Sequence, residues 1–94
     1  MDRIAVLSLI LEDPGSVGEV NRLLHECGDL VVGRMGLPYR ARGLSIITLV
    51  LDGPQERISA LSGRLGRLSG VRASTSYAKA PAEASREPSG PAGP

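Results

Sequence analysis

Ile4–Leu11 reads IAVLSLIL, and Leu44–Leu51 reads LSIITLVL. Each run is eight residues long and ends in turn chemistry, Glu12-Asp13-Pro14-Gly15 after the first and Asp52-Gly53-Pro54 after the second. Eight residues cannot span a bilayer as a helix, and the aliphatic content suits a buried strand. Side chains on a strand alternate between faces. The first run therefore offers Ala5, Leu7, Leu9 and Leu11 to one side and Ile4, Val6, Ser8 and Ile10 to the other. The second offers Ser45, Ile47, Leu49 and Leu51 against Leu44, Ile46, Thr48 and Val50. Both strands are apolar on both faces, which places them at the centre of a sheet.

The segments between and after these runs complete the pattern. Ser16 followed by Glu19 is a capping-box spacing, so a helix is expected from about Val17, with Val17, Val20, Leu24 and Cys27 along one face. Gly28 fits a left-handed position just past its end. Leu30–Leu37 reads as a strand weakened by Gly33 and Gly36. A second helix carries Ile58, Leu61, Leu65 and Leu68 on one face and ends at Gly70. Gly63 and Gly66 lower its intrinsic stability by about 1 kcal/mol each relative to alanine and leave room for close packing. Val71, Ala73, Thr75 and Tyr77 alternate with Arg72, Ser74 and Ser76 in a half-exposed strand. The order is βαββαβ. Right-handed crossovers put both helices on one face of a four-stranded antiparallel sheet, with the first and third strands central. That is an α+β ferredoxin-like plait.

Residues 1–79 form the expected domain. Residues 80–94, APAEASREPSGPAGP, hold four prolines, two glycines and no apolar side chain larger than alanine, and are expected to be a disordered tail. Eleven basic and ten acidic residues give a net charge of +1, with no basic block to announce nucleic acid. The lone Cys27 excludes an intramolecular disulfide, and the absence of a cleavable leader pattern adds to the expectation of a cytoplasmic protein with no membrane association.

Two helices cover one face of a sheet whose inner strands are apolar on both. A homo-oligomer is expected, burying the second sheet face or a strand edge against another protomer.

The segment LEDPGSVGEVNRLLHECGD, Leu11–Asp29, resembles the entry of ACT-type regulatory domains. Together with LHECGDLVVGRMGLPYRARGLSIITLVLDGP and ISALSGRLGRLSGVRASTSYAK it resembles the iron-only hydrogenase system regulator family, small ACT-like proteins similar to the C-terminal domain of NikR-type regulators. The pieces GRMG-PY and LSG-LG-L-GV are the most specific, and the likeness covers about residues 2–79. It implies a regulatory role in the bacterial cytoplasm. In one respect the chain departs from NikR-type proteins, whose nickel sites draw several histidines and a cysteine across a subunit interface. Here there is one histidine, His25, and one cysteine, Cys27, two residues and about 200° apart around a helix. They cannot chelate one ion as a pair, and neither a metal nor another cofactor is expected.

Two loops are candidate ligand sites. The turn Asp13, Gly15, Ser16 leads into a helix N-terminus that can receive a carboxylate or phosphate. The resemblance to ACT-like domains implies an effector there, beside a neighbouring protomer. The competing reading is that Ser16 caps its own helix and Asp13 turns the chain. The second stretch, GRMGLPYRARG at Gly33–Gly43, holds Arg34, Arg40 and Arg42 with Tyr39. It reads as an arm over an oligomer interface first, a clamp for an anionic ligand second and a solvated hairpin third.

The function expected is thus a non-enzymatic regulatory module sensing a small anionic or amino-acid-like ligand, with a ligand-free adaptor docking onto an enzyme or maturation factor as the alternative. A single-strand RNA reader would stack bases on sheet aromatics, but the chain has no Phe or Trp, and Tyr39 and Tyr77 fall outside the central strands. No nucleophile triad, carboxylate pair or phosphate loop assembles from these residues, so no catalysis is expected.

Overall fold

A computed structural model describes residues 2–79. The elements run β1 (Asp2–Leu11), a 3-10 turn (Pro14–Ser16), α1 (Val17–Glu26), a second 3-10 turn (Gly28–Leu30) and β2 (Val31–Tyr39). A third 3-10 turn (Arg40–Arg42), β3 (Leu44–Pro54), α2 (Gln55–Gly66) and β4 (Val71–Tyr77) follow. The sheet order is β2-β3-β1-β4, every neighbour antiparallel, with β1 and β3 inside. This is the ferredoxin-like plait expected from the order of elements. The tail expected at residues 80–94 lies outside the described residues.

The core sits between the sheet and the two helices. Ala5, Leu7, Leu9 and Leu11 from β1 meet Ile47, Leu49 and Leu51 from β3. Val20, Leu23 and Leu24 of α1 and Ile58, Leu61 and Leu65 of α2 close over them, with Leu30 and Val71. All of these side chains are buried. Leu23 belongs to the buried stripe of α1, while Val17 at its start stays half-exposed and Cys27 packs only partly against the core. The stripe is rotated toward Leu23 because α1 leans on α2 rather than over β2.

Several local expectations are corrected. Gly28 has no positive φ; among the described residues the left-handed glycines are Gly43, which turns the β2–β3 hairpin, and Gly70, which precedes β4. α1 instead ends through Cys27 into the 3-10 turn, whose last residue Leu30 folds into the core. There its side chain lies over Gly53 so closely that any Cβ at Gly53 would collide with it. The capping box does not form, because Ser16 makes no side-chain bond to its own helix. Asp13 caps the preceding 3-10 turn, accepting from the Gly15 N–H at 2.9 Å. Gly63 and Gly66 make no close approach, since a Cβ at either would sit in ordinary contact at 3.7 Å.

β2 continues to Tyr39, past Pro38. β2 is an edge strand, where a residue without an N–H is tolerated. For the same reason β3 runs on through Asp52-Gly53-Pro54 instead of stopping at Leu51. β2 has ended opposite Leu51, so β3 is itself an edge on that side beyond this point. A register shift between Val31 and Gly33 leaves Val32 as the extra residue of a bulge.

Surface charges pair locally. Arg22 bridges Glu19 and Glu26 along α1, and Arg64 of α2 reaches Glu26 at 3.6 Å. Arg57 grips Asp29 with two bonds, of 2.6 and 3.0 Å. These hydrogen bonds from the guanidinium hold the Asp29 carboxyl below its ordinary value.

Two outcomes follow. Gly70 combines φ +67° with an approach in which a Cβ would stand 2.5 Å from that of Asp13. Gly70→Ala is therefore expected to lower unfolding stability by about 2 kcal/mol or more in urea titrations, whereas Gly36→Ala, with nothing within 4 Å of its Cβ position, should lose none. A depressed carboxyl contributes stability above its unfolded value and loses it as pH falls through the folded one. Asp29→Asn should then be less stable than wild type at neutral pH, with the difference fading in acid, as read from paired denaturation curves.

Candidate functional site

The β1–α1 turn is stapled to the α2–β4 connection. The backbone N–H of Glu12 donates to the Gly70 carbonyl at 2.6 Å. One oxygen of Asp13 accepts from Gly15, and the other accepts from the Ser69 hydroxyl at 3.1 Å. Ser16, only 7% exposed, donates to the Ser69 carbonyl at 2.6 Å. Asp13, Gly15 and Ser16 thus spend polar groups on holding the turn. The β1–α1 and α2–β4 connections meet here because Gly70 lets the chain pass against Asp13 without a side chain between them.

The hairpin residues divide between the two faces of β2. Arg34 stands opposite Leu49 and Pro38 opposite Ser45, on the helix side, whereas Met35, Leu37 and Tyr39 stand opposite Thr48, Ile46 and Leu44 on the open side. α1 does not reach over β2, so the helix side of the strand borders a trough. At the hairpin end a depression of about 270 Å³ is lined by Pro14, Val17, Pro38 and Arg40. Beside it, about 260 Å³ is lined by Val17, Asn21, Arg34, Pro38 and Ile47. Beyond that, about 530 Å³ lies among Asn21, Leu24, His25, Val31 and Arg34. These volumes fall in or near the range that small ligands occupy.

Arg40 and Arg34 line adjoining depressions of this trough, Arg40 the one at the hairpin end and Arg34 the two beyond it. The turn contributes Pro14 to it, while Asp13, Gly15 and Ser16 do not line it and Tyr39 lies on the opposite face. Asn21 and His25, one turn apart on α1, line the trough and were not singled out as ligand groups from the sequence. The available signal was their i,i+4 spacing beside the apolar stripe.

The arginines separate into two groups. Arg3 bonds Gln55 and the Ala78 carbonyl and lies over the Tyr77 ring, and Arg22, Arg57, Arg64 and Arg72 all hold carboxylates. Among the described residues Arg34, Arg40, Arg42 and Arg67 have no such partner. Three of these four belong to β2 and its hairpin turn. An unpaired guanidinium fork beside an apolar wall can take a carboxylate or phosphate in bidentate fashion.

The other exposed feature is the open face of the sheet. Val6 is 40% exposed, Val50 37%, Leu37 55% and Met35 68%, joined by Ile4, Ile10 and Tyr39. Among the described residues no three His, Cys, Asp or Glu side chains gather as a metal-binding group. No helix among them is long and apolar enough to cross a membrane.

Comparison with known proteins bears on this arrangement. The family model described as "TM1266-like: Iron-only hydrogenase system regulator, putative" matches residues 3–75. A solved structure, that of the uncharacterized protein TM1266 from Thermotoga maritima, superposes with a TM-score of 0.81 at 36% identity, covering 84% of this chain and 100% of that one. Comparison with curated proteins gives no match.

Structural and ligand roles separate experimentally. Ser16→Ala should cost about 1 kcal/mol of unfolding free energy through the lost buried bond. Arg34→Ala and Arg40→Ala should stay within about 0.5 kcal/mol of wild type in the same titration.

Proposed function

The chain belongs to the TM1266-like family, and from that premise we propose that it is a non-enzymatic cytoplasmic regulatory module that acts as a homo-oligomer and senses a small anionic or amino-acid-like ligand. The link to an iron-only hydrogenase system, which the family's description carries, is part of the same proposal. One observation carries it, the largely aliphatic surface on the sheet face away from the helices, interrupted at its centre by Ser8 and Thr48. Three strands at about 4.8 Å spacing over about 27 Å give a patch of roughly 400 Å². That lies within the roughly 300–600 Å² of the largest apolar patch on a typical monomer, a feature that is often functional. Covering it is worth on the order of 10 kcal/mol at about 25 cal/mol per Å², comparable with the estimated association cost of about 4–15 kcal/mol. Gain and cost are thus of the same size, and small changes at the face can tip the balance.

The same strand supplies a route from ligand to assembly. Arg34 faces the trough, and the next residue, Met35, faces the open side. A carboxylate held by Arg34, with Asn21 and His25 opposite on α1, would pull β2 toward the helix and move the face that the second copy covers. A ligand then biases assembly by its differential affinity for the two arrangements. Gly15 and the turn it belongs to bound the hairpin end of this trough through Pro14.

A thermal-shift panel of small carboxylates, amino acids and phosphates tests the reading. At least one compound should raise the melting temperature of the wild type, and Arg34→Ala should abolish the shift while melting normally without ligand. Leu37→Lys should release monomers. If no compound shifts the wild type and Leu37→Lys is unchanged in size, the adaptor alternative, in which another protein docks on the face, takes its place.

A further inference from the structure

We propose that the second copy packs on the open sheet face with the two-fold axis running across the strands, so that the hairpin end of each chain covers the Asp2–Asp52 end of the other. This rests on the homo-oligomeric reading above and adds an orientation to it.

The open face carries two gradients. One runs laterally. β2, β3 and β1 present Met35 and Leu37, Ile46 and Val50, and Val6 and Ile10, whereas β4 presents Arg72, Ser74 and Ser76 on that side. The other runs along the strands. At one end Asp52 stands opposite Ile4, with Asp2 beside it on the same face, and neither has an ion-pair partner among the described residues. At the other end lies the hairpin turn with Arg42, also without a carboxylate partner among the described residues, while Arg40 beside it lines the depression on the helix side. Arg72, near that end, is already neutralised by Glu12 at 3.5 Å. From Leu44 to Asp52 the strand spans about 27 Å. That is well beyond the screening length of about 8 Å in physiological salt. The two charged ends therefore cannot satisfy each other within one chain.

Sheets that pack face to face keep their strands roughly aligned, about 10 Å apart. A two-fold closes such a pair in two aligned ways. With the axis along the strands and over β3, β2 lies over the partner's β1 and aliphatic still meets aliphatic, but arginines meet arginines at one end while aspartates meet aspartates at the other. With the axis across the strands, β2 lies over β2 and β3 over β3. Aliphatic then meets aliphatic, the serine-lined β4 edges meet at the rim, and each arginine end meets an aspartate end. The lateral pattern allows either axis, and only the second arrangement satisfies the charge gradient as well. It also puts the polar centre of the face, Ser8 opposite Thr48, on the axis, where the two copies can pair hydroxyls.

Two measurements on the full chain decide it. In sedimentation titrations Asp52→Arg and Arg42→Glu should each raise the dissociation constant by about tenfold, since two exposed pairs per dimer turn repulsive. The double variant should return it to near the wild-type value. In a Cys27→Ser background, Leu44→Cys chains mixed with Asp52→Cys chains should be joined to each other by a bismaleimide of about 10 Å reach. Leu44–Leu44 and Asp52–Asp52 products in place of the mixed one would mean the axis runs along the strands and would overturn the proposal. A sample that sediments as an oligomer yet yields no product would overturn the face-to-face orientation while leaving the homo-oligomer standing. A wild type that sediments as a monomer would remove both.

Discussion

Leu7 and Leu49 are paired directly across β1 and β3 and are fully buried, while the next pair along the same strands, Val6 and Val50, is 40% and 37% exposed. The two pairs differ little in chemistry; what separates them is which side of the sheet they face. An α+β plait of this order has two helices, and both crossovers place them on the same side. Strands that are apolar on alternate and intervening residues alike can then be satisfied on one side only by their own chain. The rest of the molecule's behaviour descends from that imbalance. It fixes the core, leaves a greasy surface on the far side, and makes β2, which lies outside the shelter of α1, the element where a trough and an uncovered face share one backbone.

Much of this was legible in the sequence because hydrophobic period and burial are the same information. Two-sided aliphatic runs identified the inner strands, the 3.6-residue stripes located both helices, and the period-two run from Val71 identified β4. The errors lie where a residue type fits more than one local geometry. Ser16 and Glu19 have the spacing of a capping box, yet Ser16 is drawn to the Ser69 carbonyl and Glu19 to Arg22. That choice depends on a chain segment 53 positions away, which no local pattern can register. Gly70 and Gly28 both follow helical stripes, but only Gly70 has φ +67° and lies close against Asp13 in the β1–α1 turn. Proline and glycine at 52–54 read as a stop until the edge of the sheet is known.

The candidate site was legible in a coarser way. Sequence could single out arginines in a glycine-rich hairpin and a turn before a helix, but not which of their groups are already spent. In the fold Asp13 and Ser16 hold the β1–α1 turn to Ser69, and Arg34 and Arg40 line a common trough without carboxylate partners among the described residues. Asn21 and His25 join that trough only because α1 is displaced from β2, a tertiary fact with no local signature. The family to which the chain belongs is consistent with a regulator, and the proposed ligand and assembly give that role a physical basis: one strand, β2, exposed to a ligand on one side and to a sister copy on the other.

Ligand response and assembly both depend on whether that far face is covered by a second copy of the chain. Sedimentation velocity of the wild type over a range of micromolar concentrations answers this most directly. The account predicts a species of two or more chains that dissociates only on dilution. A single chain at every concentration, with the aliphatic face in water, would contradict it.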